Sequence, residues 1–522
     1  MRQTGLMLAL LATLGLALAG CNFPGVTRPE GELSASELRQ TLAAGDWTPA
    51  ATSPAMLQTE AAPTGIASPA PTFVAAQGTA GPSLPTPGVM DDGGTWRYTA
   101  QPGDILPAVA LRFGVDPGSI RSPQSLPEQA FIPAGLELTI PKTALDAPYP
   151  QGVLPDSEVV NSPAAAGFDV TAFIQQAGGY LNEYREWSGG QWLSGAQVVE
   201  RVARESSVNP RLLLALIELR SGWVRGRPAG AEREKYPLGF HVANWEGLYK
   251  ELVIAATHLN GGYYGWRNGT ALELSFQDGG RVRIYPGLNA GSAAVQSLLA
   301  KLTRRAAWEP ALYGAGGLLD VYRQMFGDPW QSRNLPLFPD GLAQPELALP
   351  FAPGQRWSLT GGPHAAWKTG SPRGALDFAP VTGEMRCSVS AVWATAPAAG
   401  VVARSDRGVV ALDLDGDGLE QTGWVLIFLH LADAGRIPVG TRVAVDDPLG
   451  HPSCEYGAST GTHMHVARKY NGEWISADGP LPFVLGGWQA YAGAQEYQGG
   501  MLSQQLQVVA SPVGPRTSII IR

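Results

Sequence analysis

At 522 residues, with 44% hydrophobic and 16% charged side chains, the chain has material for several folded cores and is too long for one. Its 65 glycines and 43 prolines, set against few charges, point to an extracytoplasmic protein with extended linkers. A formal net charge of −8 argues against a nucleic-acid partner, whose phosphates require a basic surface.

Behind Arg2, residues 6–19 form an apolar run too short for a membrane span but shaped like a secretory signal. It ends in Leu18-Ala19-Gly20-Cys21, which resembles a bacterial lipobox. The resemblance implies a signal peptide over 1–21, cleavage before Cys21 and lipid on its sulfur. The mature chain is then expected outside the cytoplasm, lipid-anchored to the cell envelope or secreted. Residues 22–94 are dense in Pro, Ala, Thr, Ser and Gly and predict a tether without a core.

Residues 95–143 predict a strand, two short helices and a closing strand with alternating apolar residues. Asp104 is the expected cap of the first helix, and Gly114 its end. This pattern resembles the LysM module, a βααβ binder of glycans that contain N-acetylglucosamine. Pro107 and Pro127 depart from that pattern and predict an interrupted second helix.

Residues 144–166 read as a proline-rich linker, and 167–332 as a helical domain. Val170, Phe173, Ile174, Ala177, Leu181 and Tyr184 follow helical spacing. Ser194 and Gln197 form a capping box, and Asn209-Pro210 opens the next helix. The passage resembles lysozyme-like lytic transglycosylases, whose signature helix ends in a catalytic Glu followed by Ser. Here Arg220 precedes Ser221, and a guanidinium cannot protonate a glycosidic oxygen. Glu218 lies about 200° away around the helix. The domain is therefore expected to lack the catalytic acid. The aromatic run Tyr263-Tyr264-Gly265-Trp266 is either core or a sugar-stacking surface.

After a short linker, 333–349, residues 350–490 predict short strands with Gly and Pro turns, an all-β domain followed by a tail over 491–522. The chain is thus read as multidomain: a LysM module, a mainly α lysozyme-like domain and an all-β domain.

Five of the seven histidines follow residue 360. His463 and His465, two apart on a strand, face one side. Asp377 sits in an apolar strand, where a buried carboxylate needs a partner and a metal is a good one. Zinc hydrolases take about three protein ligands and leave one position open. With His364 and His430 added, the set resembles the lysostaphin and beta-lytic type of zinc endopeptidases, whose β-fold is the duplicated hybrid motif. The resemblance implies His364, Asp377 and His465 as ligands of one zinc, His430 and His463 as catalytic histidines, and bacterial wall peptides as substrate. His364 and Asp377 are 13 apart (377 minus 364), a spacing similar to the staphylolysin and beta-lytic subgroup.

Cys387 and Cys454 fall in one predicted domain of an exported protein, where a disulfide is expected and two buried thiols are the alternative. Asp413, Asp415 and Asp417 resemble the opening of a calcium loop, although its twelfth position is Trp424, with Glu420 nearby. The alternative is a polar hairpin tip. His451, in a turn, is expected at the surface.

These observations predict a wall-targeted zinc endopeptidase acting on peptidoglycan. The alternatives are a non-catalytic glycan-binding lipoprotein that scaffolds or activates another wall hydrolase, and a muramidase working through the middle domain.

Overall fold

The computed structural model describes residues 89–331, 337–504 and 506–522. The signal sequence, Cys21 and the tether up to residue 88 lie outside the described residues. Among the described residues no helix is long and apolar enough to cross a membrane.

Three antiparallel strands, β1 (Val89–Asp91), β2 (Thr95–Thr99) and β3 (Glu137–Pro141), carry the helix α1 (Leu106–Phe113). Gly114 closes α1 in the left-handed conformation at φ 67°, which glycine adopts without steric cost. Asp104 does not cap it. Ile105 holds the N-cap position without a side-chain bond, while Asp104 is buried and accepts from Tyr98 Oη at 2.5 Å, from the Gln101 amide at 2.8 Å and from Arg112. The second helix shrinks to one 3-10 turn, Pro117–Ser119, because the Ser- and Pro-rich segment after it cannot continue a helix. This module is docked. Gln101 donates to Gly287 O, Arg283 to Leu111 O, and Arg267 to Pro102 O.

The proposed linker over 144–166 is instead part of the helical core, since Val153, Leu154, Val159 and Val160 are fully buried. The helical unit then runs through α2 (Val170–Ala177), the hairpin β4–β5 (Arg185–Ser188, Gln191–Ser194), α3 (Gly195–Ser206), α4 (Pro210–Ser221) and α5 (Leu248–Asn268). Ser194 and Gln197 make the reciprocal capping box, and Asn209 caps α4 with Pro210 in its first turn. Tyr263, Tyr264 and Trp266 are core residues, not a sugar surface. Tyr263 donates to Glu473, and Trp266 to Leu288 O.

The β-domain is built on a nine-stranded sheet. Its centre is β6 (Arg356–Ala365), β7 (Arg373–Pro380), β8 (Gly400–Asp406), β9 (Val409–Asp413), β10 (Trp424–Leu429) and β11 (Met464–Tyr470). Along β9 and β10 successive side chains enter two different cores. Val409, Ala411, Val425 and Ile427 join the helical unit, while Val410, Leu412, Leu426 and Phe428 join the β-core. A sheet covered on both faces needs apolar residues at every position, which is why Trp424–Leu429 reads as an unbroken apolar run. Of the expected linker over 333–349, the described part from residue 337 packs as well, Leu337, Phe338, Leu347 and Leu349 being buried.

The expected tail is also structural. Ile519–Ile521, which we label β12, pairs antiparallel with β6 and forms a sheet edge, with Ile520 opposite Trp357. The strands Val484–Leu485, Trp488–Ala492, Gly499–Ser503 and Leu506–Val509 form a further four-stranded sheet. The β-domain therefore extends to residue 522, because an apolar end strand gains both ladder hydrogen bonds and a core contact.

Candidate metal centre

The four strands that meet at the centre are neighbours: β10 pairs with β11, β11 with β7, and β7 with β6. Register puts His465 directly opposite Asp377. The β6–β7 ladder is irregular around His364, with shifts on both sides of Gly361. Those shifts turn His364 onto the same face. Gly361 is required there, because a Cβ would stand 2.5 Å from Asp377 Oδ2.

His364 Nε2 and His465 Nδ1 are 3.0 Å apart, and each lies 3.3 Å from Asp377 Oδ1. All three residues are buried. The opposite nitrogens are committed to carbonyls: His364 Nδ1 bonds Gly362 O at 2.9 Å and His465 Nε2 bonds Ala366 O at 3.0 Å. A carbonyl only accepts, so those nitrogens carry the protons and both lone pairs point at Asp377. Asp377 Oδ1 itself has no hydrogen-bond partner. Two lone pairs and an orphaned carboxylate oxygen crowded at one point are the donor set of a divalent cation with nitrogen and oxygen ligands.

His463 and His430 complete the group. His463 Nδ1 bonds Gly461 O at 2.8 Å, and its Nε2 stands 4.0 Å from Asp377 Oδ1. His430 Nδ1 bonds Tyr456 O at 2.6 Å, and the two rings are 4.4 Å apart. His430 leaves β10 at φ 66°, a strained conformation for a non-glycine residue that re-aims its ring. Burial and the neighbouring histidines hold the His430 pKa well below the usual imidazole value. Burial likewise lowers that of His463, despite the pull of Asp377.

Known proteins resemble parts of the chain. Residues 152–339 match the family model "LasA, N-terminal domain". Protease LasA of Pseudomonas aeruginosa, in strains UCBPP-PA14 and PAO1, is 27% identical over 346 residues, covering 60% of this chain and 73% of the relative. The chain is a zinc metalloendopeptidase, similar to protease LasA over this span. Among solved structures, the M23 metalloprotease pseudoalterin overlaps 32% of this chain and 96% of its own, at 21% identity and a TM-score of 0.27. The catalytic domain of lysostaphin from Staphylococcus simulans overlaps 24% and 89%, at 18% identity and a TM-score of 0.17. The helical residues expected to resemble lysozyme fall within the span matched by the LasA N-terminal model.

The site has parts that sequence reasoning missed. Tyr497 stacks on His364, with centroids 4.2 Å apart and planes 18° from parallel, and its carbonyl accepts the Gly362 amide at 3.0 Å. It lies in the segment read as a tail and carries no motif. Glu205 of α3 reaches the cleft beside the centre, accepting from Arg201 at 2.9 Å and Tyr249 at 3.0 Å and facing Lys368 at 3.6 Å. No sequence signal joins two residues so far apart in the chain.

Remaining expected sites are placed as follows. Cys387 and Cys454 form a disulfide with Cα atoms 5.1 Å apart. Asp413, Asp415 and Asp417 come within 4.8 Å of one another. Their oxygens serve the loop itself, Asp413 accepting from the Asp415 and Gly418 amides at 3.1 and 2.7 Å, and Asp417 from the Leu419 amide at 2.8 Å. Glu420 turns inward to Arg404 at 2.6 Å and Lys469 at 3.2 Å and does not complete a calcium loop. His451 is half-buried on Trp393, with centroids 3.7 Å apart, so it is not the free surface residue expected. In the middle unit Arg220 donates to Leu238 O at 2.9 Å, while Glu218 accepts from the Val224 and Arg225 amides at 3.0 Å and from Arg225 Nε at 2.9 Å.

Proposed function

We propose that this protein hydrolyses peptide bonds in the stems or cross-links of peptidoglycan, using zinc held by His364, Asp377 and His465. The convergence of two imidazole lone pairs on the unpartnered Asp377 oxygen carries this reading. When bound, zinc polarises the scissile carbonyl and acidifies water towards a pKa of about 7. His430 and His463 are buried with lowered pKa values, so both are neutral at pH 7. Each spends its Nδ1 proton on a carbonyl and offers Nε2 as a base. After taking a proton, the same ring can hydrogen-bond the developing oxyanion or protonate the leaving amine. Gly362 O and Ala366 O orient the two ligand rings. The glycosidase reading finds no support in a Glu218 engaged by two amides and a guanidinium.

Wall targeting belongs to the same proposal. The LysM-like module over residues 95–143 would hold glycan, and lipid on Cys21 with its tether would keep the protein at the envelope.

Mass spectrometry of peptidoglycan digested by the protein tests the reaction. New amino and carboxyl termini with intact glycan are expected, and new reducing ends without cut peptides would overturn the reading. Metal content separates the roles. His364→Ala should lose zinc and activity together, whereas His430→Ala should keep zinc and slow cleavage by about 10²–10⁴-fold, the usual worth of general acid–base help. Full activity in His430→Ala would remove its role.

A further inference from the structure

The β4–β5 hairpin of the helical unit carries two tryptophans in water. Trp187 is 59% exposed and Trp192 67%, and among the described tryptophans only these two are more than half exposed. They are direct cross-strand partners, with centroids 5.9 Å apart and planes at 74°. On the opposite face Glu186 and Leu193 pair and are drawn inward, Glu186 accepting the Leu248 amide at 2.9 Å. The hairpin is thus fastened by its inner face and holds the two rings outward. Their neighbours on the outer face are Arg185 and Ser194. The apolar surface is therefore confined to two rings, the scale of one or two sugars and far below a subunit interface of about 800 Å² per partner.

The hairpin also stands at the catalytic cleft. Its turn, Gly189-Gly190, takes φ of 60° and 81°, the left-handed pair that closes a two-residue hairpin. Arg407, which lines the cleft beside His364 and His430, lies across Gly189 so closely that a Cβ there would overlap its guanidinium. Ser188 accepts from Arg201, the partner of the cleft residue Glu205.

We infer that Trp187 and Trp192 form a stacking platform for the glycan strand of peptidoglycan. This rests on the peptidase reading above. A stem peptide in the cleft is covalently joined to a sugar chain, which must then run close by. The apolar C–H face of a pyranose packs on the electron-rich face of an indole, and two rings at an angle can meet successive sugars.

The test compares the full chain with Trp187→Ala/Trp192→Ala on intact peptidoglycan and on a glycan-free stem peptide. The ratio of efficiencies, peptidoglycan over peptide, should fall roughly tenfold in the double variant, and the double Phe variant should recover most of it. An unmoved ratio in a chain that cleaves both substrates overturns the platform and leaves the peptidase standing. A wild type that cleaves neither overturns the peptidase reading, and the platform is then judged by direct titration with peptide-free glycan strands. Exposed-indole emission should shift in the wild type and not in the double variant. No shift in the wild type overturns the platform, as does a double variant whose only loss is self-association or vesicle binding.

Discussion

The atom that decides the centre is Asp377 Oδ1, and a glycine makes room for its carboxylate. Gly361 faces Asp377 across the β6–β7 ladder, and a methyl group there would stand 2.5 Å from Oδ2 and 3.1 Å from the carboxyl carbon. A contact that short cannot be absorbed without moving the carboxylate. Gly361→Ala is therefore expected to weaken zinc binding by about 10–100-fold, the range found when a ligand's support is disturbed. Competition with a chelator, read by residual metal, measures it, and wild-type affinity in the variant would show that Asp377 has room to shift.

Strands, in turn, are held by charges they bury. Glu420 is buried with Arg404 and Lys469, and although burial opposes its ionisation, the two cations lower its pKa to about 2. Because the folded value lies below the unfolded one, the pair stabilises above about pH 4.5 and that stability is lost as pH falls towards 2. Its contribution is roughly 3 kcal/mol at neutral pH. Urea midpoints from pH 6 to 2.5 should fall more steeply for wild type than for Glu420→Gln, which has no carboxyl to protonate. Parallel curves would show that other carboxylates carry the acid transition. The Cys387–Cys454 disulfide closes a separation of 67 residues ahead of the His463 segment. Replacing both cysteines by Ala should cost about 2–4 kcal/mol, chiefly through the unfolded chain. An unchanged urea midpoint would rule that contribution out.

Across the whole molecule, the helical and β-units share one core and a buried polar seam. Glu473 accepts from Tyr263 at 2.9 Å and Arg267 at 3.0 Å, both on α5, and Ser207 donates to Gly472 O. Removing one member of a buried ion pair strands the other, at a typical cost of about 3–5 kcal/mol. Glu473→Ala should therefore lower the urea midpoint markedly. The retained Asp156 partner of Arg267, at 3.2 Å, should keep the loss near the lower end. A midpoint within error of wild type would mean that the seam is held by its apolar contacts alone.

Much of this was legible in the residues. Capping chemistry is local, so Ser194 with Gln197 and Asn209 with Pro210 marked helix starts that the fold contains. Residue type and period-2 spacing likewise singled out His463, His465 and Asp377, because few side chains bind zinc and a strand presents alternate residues to one side. Composition failed at the edges. Proline-rich 144–166 and the closing residues to 522 read as linker and tail because their burial comes from partners remote in sequence, α6 (Ala290–Leu302) for Val153 and β6 for Ile520. Asp104 read as a cap because its partner Arg112 was invisible until α1 folded over it. The sequence by itself determined which atoms could hold a metal and which helices would start where, since both depend on side-chain chemistry and near neighbours. Tertiary structure alone decided that Tyr497 stacks on His364, that Glu205 faces the cleft and that Asp377 Oδ1 is left without a partner, because these depend on strand register or on contacts between residues remote in sequence.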